Sequence, residues 1–146
     1  MREEDKKLDE VYFYWMERAM KAQRKAKNKL FRDLGIKITS DQWIILKRLS
    51  EVEGQTQREL SESIIKDPAS LTRILDLLEK EKLIERRSAD RRSFTVHLTR
   101  NGSSLVERVI PEAVKYRKKG IEGLSEDEMQ VFKKVLNTIH DNFTKD

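Results

Sequence analysis

The chain has no cysteine, which removes disulfide staples, thiolate metal sites and thiol-based redox sensing in one step. Histidine is nearly as scarce. His97 and His140 are far apart and show no paired spacing with carboxylates on one helical turn, so no metal site is expected. The five glycines form neither a phosphate-cradling loop nor a dinucleotide fingerprint, and no Ser/His/Asp ordering stands out. With that chemistry missing, no catalytic residue and no cofactor is assigned, and enzymatic activity is not expected. No apolar run approaches the ~20 residues needed to span a bilayer, and the first residues mix acids with bases rather than forming a signal peptide. A soluble, cytoplasmic protein with no membrane partner is expected.

What is abundant is charge. Charged residues make up 39% of the 146-residue chain and hydrophobic residues only 37%. The net charge is +5 and the pI about 9.4, a balance that favours a polyanionic partner. Little apolar content in a chain of this length suits a helical protein that hides part of its apolar surface against a second copy, hence a homodimer.

The most informative stretch runs from Asp67 to Gly102. Asp67 is a good N-cap and Pro68 stands at the first helical position, where a missing N–H costs nothing. Leu71, Ile74, Leu75 and Leu78 then recur at helical spacing, a stripe that docks on a core and turns Ala69, Thr72, Arg73 and Asp76 outward. Small polar residues near the start of the outward face are what a helix entering a DNA major groove needs, and arginine is the commonest specific contact to guanine. After Leu83 and Ile84 the period becomes two. Phe94, Val96 and Leu98 alternate with Ser93, Thr95 and His97, and Ser88-Ala89-Asp90-Arg91-Arg92 makes the tip of a β-hairpin. Arg86, Arg87, Arg91, Arg92 and Arg100 against Glu85 and Asp90 give that segment five minus two, or +3. Such a ribbon reads as a phosphate or minor-groove contact when it follows a presented helix, and as a merely solvated tip when it stands alone.

Taken in order, Leu8, Tyr12, Trp15, Ala19, Ala22, Ala26 and Leu30 predict one long first helix with a narrow coiled-coil-like seam, ended by Gly35. Seven cations between Arg18 and Arg32, with no acid among them, are either a solvated face or a secondary phosphate contact. Thr39 to Gln42 is a capping box with Ile38 and Trp43 as its staple, and the helix it opens runs to about Glu53. Thr56 to Glu59 is another capping box, opening a short helix, and only Lys66 and its neighbours separate that one from the helix at Pro68, so the pair reads as a helix-turn-helix. Beyond the hairpin a helix from Gly102 to Gly120 carries Pro111 as a kink. Ser125 to Glu128 caps a last helix whose seam is Met129, Phe132, Leu136, Ile139 and Phe143. The fold expected is mainly α with a small β-hairpin wing. Residues 1–35 and 103–146 are read as dimerisation helices around a winged helix-turn-helix at 36–102.

Leu71-Thr72-Arg73, the Leu78 to Arg86 exit, Asp90-x-Arg92, Val96-x-Leu98-Thr99 and Gly102 together resemble the MarR family of bacterial winged helix-turn-helix regulators, over essentially the whole chain. The resemblance implies a double-stranded DNA partner and a ligand-responsive repressor acting as a homodimer on a pseudo-palindromic operator. It implies that the fourth helix reads the major groove through Arg73, that Arg92 enters the minor groove and that Asp90 helps to hold the wing. The candidate DNA-binding residues are therefore Ala69, Ser70, Thr72, Arg73, Asp90, Arg91 and Arg92. The resemblance also implies a pocket between dimer helices and reading head for a small aromatic or phenolic anion, with Tyr12, Trp15 and Trp43 as candidate lining or, for each, plain packing. Two other readings stay open: a constitutive or architectural DNA binder without a ligand, and a winged-helix module used for protein contacts. Lys82 departs from the family pattern, which often has glycine there, and leaves the wing angle open.

Overall fold

The computed structural model describes residues 5–64 and 66–145. The parts of the expected dimerisation helices at 1–4 and 146, and position 65 of the central domain, lie outside the described residues. The first helix starts later than the apolar spacing suggests. Leu8–Glu10 form a separate 3-10 turn, Val11 is extended, and α1 runs Tyr12–Asp33. The Trp15 indole N–H donates to the Asp9 carbonyl at 2.7 Å, tying the turn back on the helix. Gly35, with φ +67, ends α1 in a Schellman turn in which Ile36 N–H reaches the Phe31 carbonyl.

Helix α2 (Ser40–Glu51) begins with both bonds of the Thr39/Gln42 box. A two-residue strand β1 (Gln55–Thr56) follows and leads directly into α3 (Gln57–Ser63). Thr56 accepts from Glu59 N–H at 3.1 Å but gets no return bond, so this cap is half of a box; the same residue pairs with Thr95 in the sheet. Helix α4 (Pro68–Lys80) has Asp67 as its cap, and the hairpin strands are β2 (Ile84–Ser88) and β3 (Phe94–Leu98). The sheet is antiparallel in the order β1-β3-β2, one strand more than the hairpin expected from sequence.

Between α4 and β2, Lys82 takes the left-handed conformation at φ 60, and Leu83 N–H reaches back to the Leu78 carbonyl. A lysine thus occupies a position that favours glycine. Thr99 stitches the exit: its hydroxyl donates to the Lys82 carbonyl (2.6 Å) and accepts from Gly102 N–H, capping α5 (Arg100–Gly120). The fifth helix therefore starts two residues earlier than Gly102. A Cβ at Gly102 would lie 2.0 Å from the Leu83 carbonyl oxygen, so only glycine fits there. Helix α5 continues through Pro111, and α6 (Glu126–Thr144) opens with the full Ser125/Glu128 box.

The core lies at the centre. Ile45, Leu46, Leu49, Leu60, Leu71, Leu75, Leu78, Ile84, Val96 and Val109 are fully buried, with Phe31 of α1 and Val106 and Ala113 of α5 in the same cluster. The α4 stripe is therefore docked from its first turn to its last. Helix α6, by contrast, buries no residue.

Candidate nucleic-acid interface

Docking Leu71, Leu75 and Leu78 in the core turns the first two turns of α4 outward. Asp67, Pro68, Ala69 and Arg73 are exposed, and Ser70 and Thr72 half-buried. Asp67 Oδ1 accepts from Ser70 N–H at 2.9 Å, and these hydrogen bonds from Ser70 hold its carboxyl below the usual carboxylate range. The Arg73 guanidinium makes one long contact, 3.4 Å to the Ser70 hydroxyl, and forms no ion pair among the described residues. Thr72 differs from what its spacing suggests. Its hydroxyl donates to the Pro68 carbonyl (2.9 Å) and accepts from Gln57 Nε2 (2.6 Å), so its one proton is already engaged within the protein. Sequence reasoning missed Gln57. Its position in the first turn of the helix before α4 was the available signal.

The wing tip is built by Asp90. Its Oδ1 accepts from the N–H of Arg92 (2.8 Å) and of Ser93 (3.0 Å), which turns the chain and keeps the carboxyl below its usual range, the Arg92 bond being the larger cause. Ala89 N–H closes the turn on the Ser93 carbonyl. Asp90 thus spends its carboxylate on the backbone, leaving Arg91 and Arg92 as bare cations. Among the described residues neither guanidinium has an acidic partner, whereas Arg87 pairs with Glu85 and Arg86 with Asp76 and Glu79. The arginines of the hairpin are therefore of two kinds: those at its root are neutralised, and those at its tip are not.

Tip and helix meet across one open groove of about 970 Å³. Thr56, Gln57, Arg58, Ser61, Glu62, Lys66, Asp67 and Pro68 line one side, and Arg92, Ser93 and Phe94 the other. Lys66 is held at 3.0 Å from Asp41, which pins the turn between α3 and α4 to the start of α2. The groove reaches α4 only at its cap Asp67 and at Pro68, and takes in the wing cation Arg92 but not Arg91, Ala69, Ser70, Thr72 or Arg73.

A second concavity of about 200 Å³ lies between α1, α2 and α5, walled by Gln23, Lys27, Leu30, Phe31, Trp43, Ile44, Val109, Ala113, Tyr116 and Arg117. Burial lowers the Lys27 pKa and raises that of Tyr116. Lys27 Nζ donates to the Ser40 hydroxyl at 3.0 Å, and the Tyr116 hydroxyl donates to the Gln23 carbonyl at 2.9 Å. Gln23 Oε1 is buried there without a partner among the described residues. Of the three aromatic residues singled out from sequence, Trp43 is buried at this wall, its ring 6.5 Å from that of Phe31. Tyr12 is 81% and Trp15 45% exposed. Tyr12 stands eleven positions before Gln23 on α1, roughly 16 Å along the axis, and Trp15 eight, roughly 12 Å, and neither is among the residues that wall the cavity. Tyr116 and Lys27 are, and Tyr116 follows by three on the α5 face that buries Val106, Val109 and Ala113.

A profile of the MarR family matches residues 38–94. The chain is 31% identical over 101 residues to YsmB of Bacillus subtilis, an uncharacterized HTH-type transcriptional regulator, covering 68% of this chain and 69% of that protein. Among solved structures it is similar to S. aureus MepR in complex with DNA, at 25% identity and a TM-score of 0.79, over 92% of this chain and 98% of that one. It is also similar, at 22% identity and a TM-score of 0.79, to Bordetella bronchiseptica BpsR, whose DNA binding is regulated by 6-hydroxynicotinic acid; 94% of this chain and 99% of that one are covered. On fold, wing and relatives alike, the chain belongs to the MarR family of winged helix-turn-helix transcription regulators and is not an enzyme.

Proposed function

We propose that the protein is a ligand-responsive repressor of the bacterial cytoplasm that binds a pseudo-palindromic double-stranded operator as a homodimer. Residues 36–102 form the reading head, and 1–35 with 103–146 the dimerisation helices. The observation that carries the reading is the shared groove. The cap and first residue of α4, Asp67 and Pro68, line it together with Arg92, which has no acidic partner among the described residues, so the start of the helix stands beside the wing, as a major-groove helix and a minor-groove wing on adjacent grooves of one duplex must. Arg73 reads a guanine edge, and the Thr72 methyl contacts a thymine methyl because its hydroxyl is already engaged. Ala69 permits close approach, and Ser70 faces phosphate. Arg91 adds charge, and Asp90 acts by shaping the tip. MepR, a relative of the same fold, has been captured on DNA, which supports the duplex as partner.

The cavity behind Trp43 supports the ligand half of the proposal. It has aromatic walls, two cations in Lys27 and Arg117, and an unpartnered amide oxygen at Gln23. That chemistry suits a small aromatic or phenolic anion. Its walls come from α2 of the head and from α1 and α5, so an occupant has differential contacts through which to shift one against the other.

Binding of wild type, Arg73→Ala, Arg92→Ala and Arg91→Ala to operators with A·T-rich or G·C-rich flanks across a salt series tests the assignment. Arg73→Ala is expected to cost about 1–3 kcal/mol and to relax preference at one base pair per half-site. Arg92→Ala is expected to abolish the flank preference, and Arg91→Ala to reduce mainly the salt slope. Equal losses on all sequences for Arg73→Ala, or an unchanged flank preference in Arg92→Ala, contradict it. Repeating the titration with a small aromatic acid separates a ligand-tuned repressor from a constitutive binder.

A further inference from the structure

The root of the wing carries an arginine that the reading of the groove does not use. Arg86 is the third residue of β2, and its side chain is only 20% exposed. Its Nη2 meets Asp76 Oδ1, its Nε lies 3.3 Å from Glu79 Oε2, and the same Nη2 lies 3.3 Å from Glu79 Oε1. Its own backbone N–H donates to Glu79 Oε2 at 3.1 Å. Asp76 and Glu79 are three residues apart on α4, hence on one face, one turn beyond Arg73. One side chain thus grips two carboxylates of the presented helix while its backbone pairs with Val96 in the wing.

The geometry points to Arg86 as a positioning residue: it clamps the wing to α4 so that the two DNA-contacting elements keep one angle. The alternative route from α4 to the wing passes through Lys82, a non-glycine residue in a left-handed turn, and through the Ile84 anchor in the core. Both, like the burial of Val96 of β3 in the core, tie the wing to the inner face of α4, and neither grips its outward face. The clamp also bears on the two acids beside a DNA-reading face, since pairing with Arg86 leaves the cluster one net negative charge instead of two to repel phosphate. Only a planar fork can serve two carboxylates and a strand at once. Lysine keeps the charge and loses that geometry.

This inference rests on the assignment of Arg92 to the minor groove, and its test separates the two. Because the chain has no cysteine, Lys80→Cys and Ala89→Cys provide two unique label sites, one at the end of α4 and one at the wing tip. Doubly spin-labelled chain is diluted into unlabelled chain, and its distance distribution is compared with and without Arg86→Lys or Asp76→Asn, each checked for folding by circular dichroism. A single narrow distance in the parent that broadens in both variants is expected, together with a loss of flank preference in DNA binding. A distribution that stays as narrow in Arg86→Lys and Asp76→Asn overturns the clamp, whatever the parent's flank preference. Broadening with the flank preference intact overturns the positioning role. A parent with no flank preference refutes the Arg92 assignment, while the distance comparison still decides the clamp. Should Arg86→Lys fail to fold, Asp76→Asn alone decides.

Discussion

Helices α4 and α6 carry the same kind of apolar stripe, stepping by three and four, and meet opposite fates. Every member of the α4 stripe is docked: Leu71, Leu75 and Leu78 are fully buried and Ile74 is packed against them. In α6, Phe132 is 50% and Phe143 76% exposed, with Val131 and Val135 also in water. Periodicity says which face of a helix is apolar; it does not say whose surface covers that face. The head completes its core within one chain, while α6 and the start of α1 present aromatic and aliphatic side chains that a second copy would bury. Phe13 and Phe143, ring centroids 5.9 Å apart, already bring those two ends together.

The largest expected effect breaks the comparison at its buried side. Leu75→Ala should cost about 2–5 kcal/mol by leaving a cavity in a filled core, and thermal unfolding should show that loss at every protein concentration. Phe132→Ala should act through association instead, with a lowered Tm that falls further as the protein is diluted. If dilution affects both variants alike, the head does not complete its core without the partner and the contrast fails.

Much of this was legible in the sequence, and for a local reason. Thr39, Asp67 and Ser125 cap through atoms three residues away, so composition alone placed those helix starts. The hairpin followed from alternation around Val96. What escaped was set by contacts distant in sequence. Strand β1 is two residues long, too short for any period to register, and exists because β3 pairs with it. The Thr72 hydroxyl is claimed by Gln57, fifteen positions away. The net +3 of the hairpin was read as one charge. Only the fold divides it into a neutralised root and a bare tip, since Asp76 and Glu79 come from another element. Tyr12 and Trp15 share helical spacing with residues farther along α1, but spacing does not say where along the axis a cavity lies.

A smaller effect sharpens the contrast between root and tip. Asp90 has a lowered pKa because it accepts backbone N–H groups, Arg92 first. Its contribution to the turn is fully present above the ordinary carboxylate value of about 3.9 and is lost as pH falls through the lowered one. Amide resonances of Arg92 and Ser93 should therefore titrate with a midpoint below the ordinary value, and Asp90→Asn should remove the titration. A midpoint at or above the ordinary value means that the carboxylate does not hold the tip.

The central claim is that two reading heads, each a major-groove helix with a minor-groove wing, act together on one duplex. Selecting bound duplexes from a random-sequence pool at fixed salt tests it most directly. The account predicts enrichment of a pseudo-palindrome whose half-site centres lie about one helical turn apart, roughly 34–36 Å, with A·T-rich flanks where the wings fall. Recovery of single half-sites without a partner, or of no common sequence at all, would contradict it.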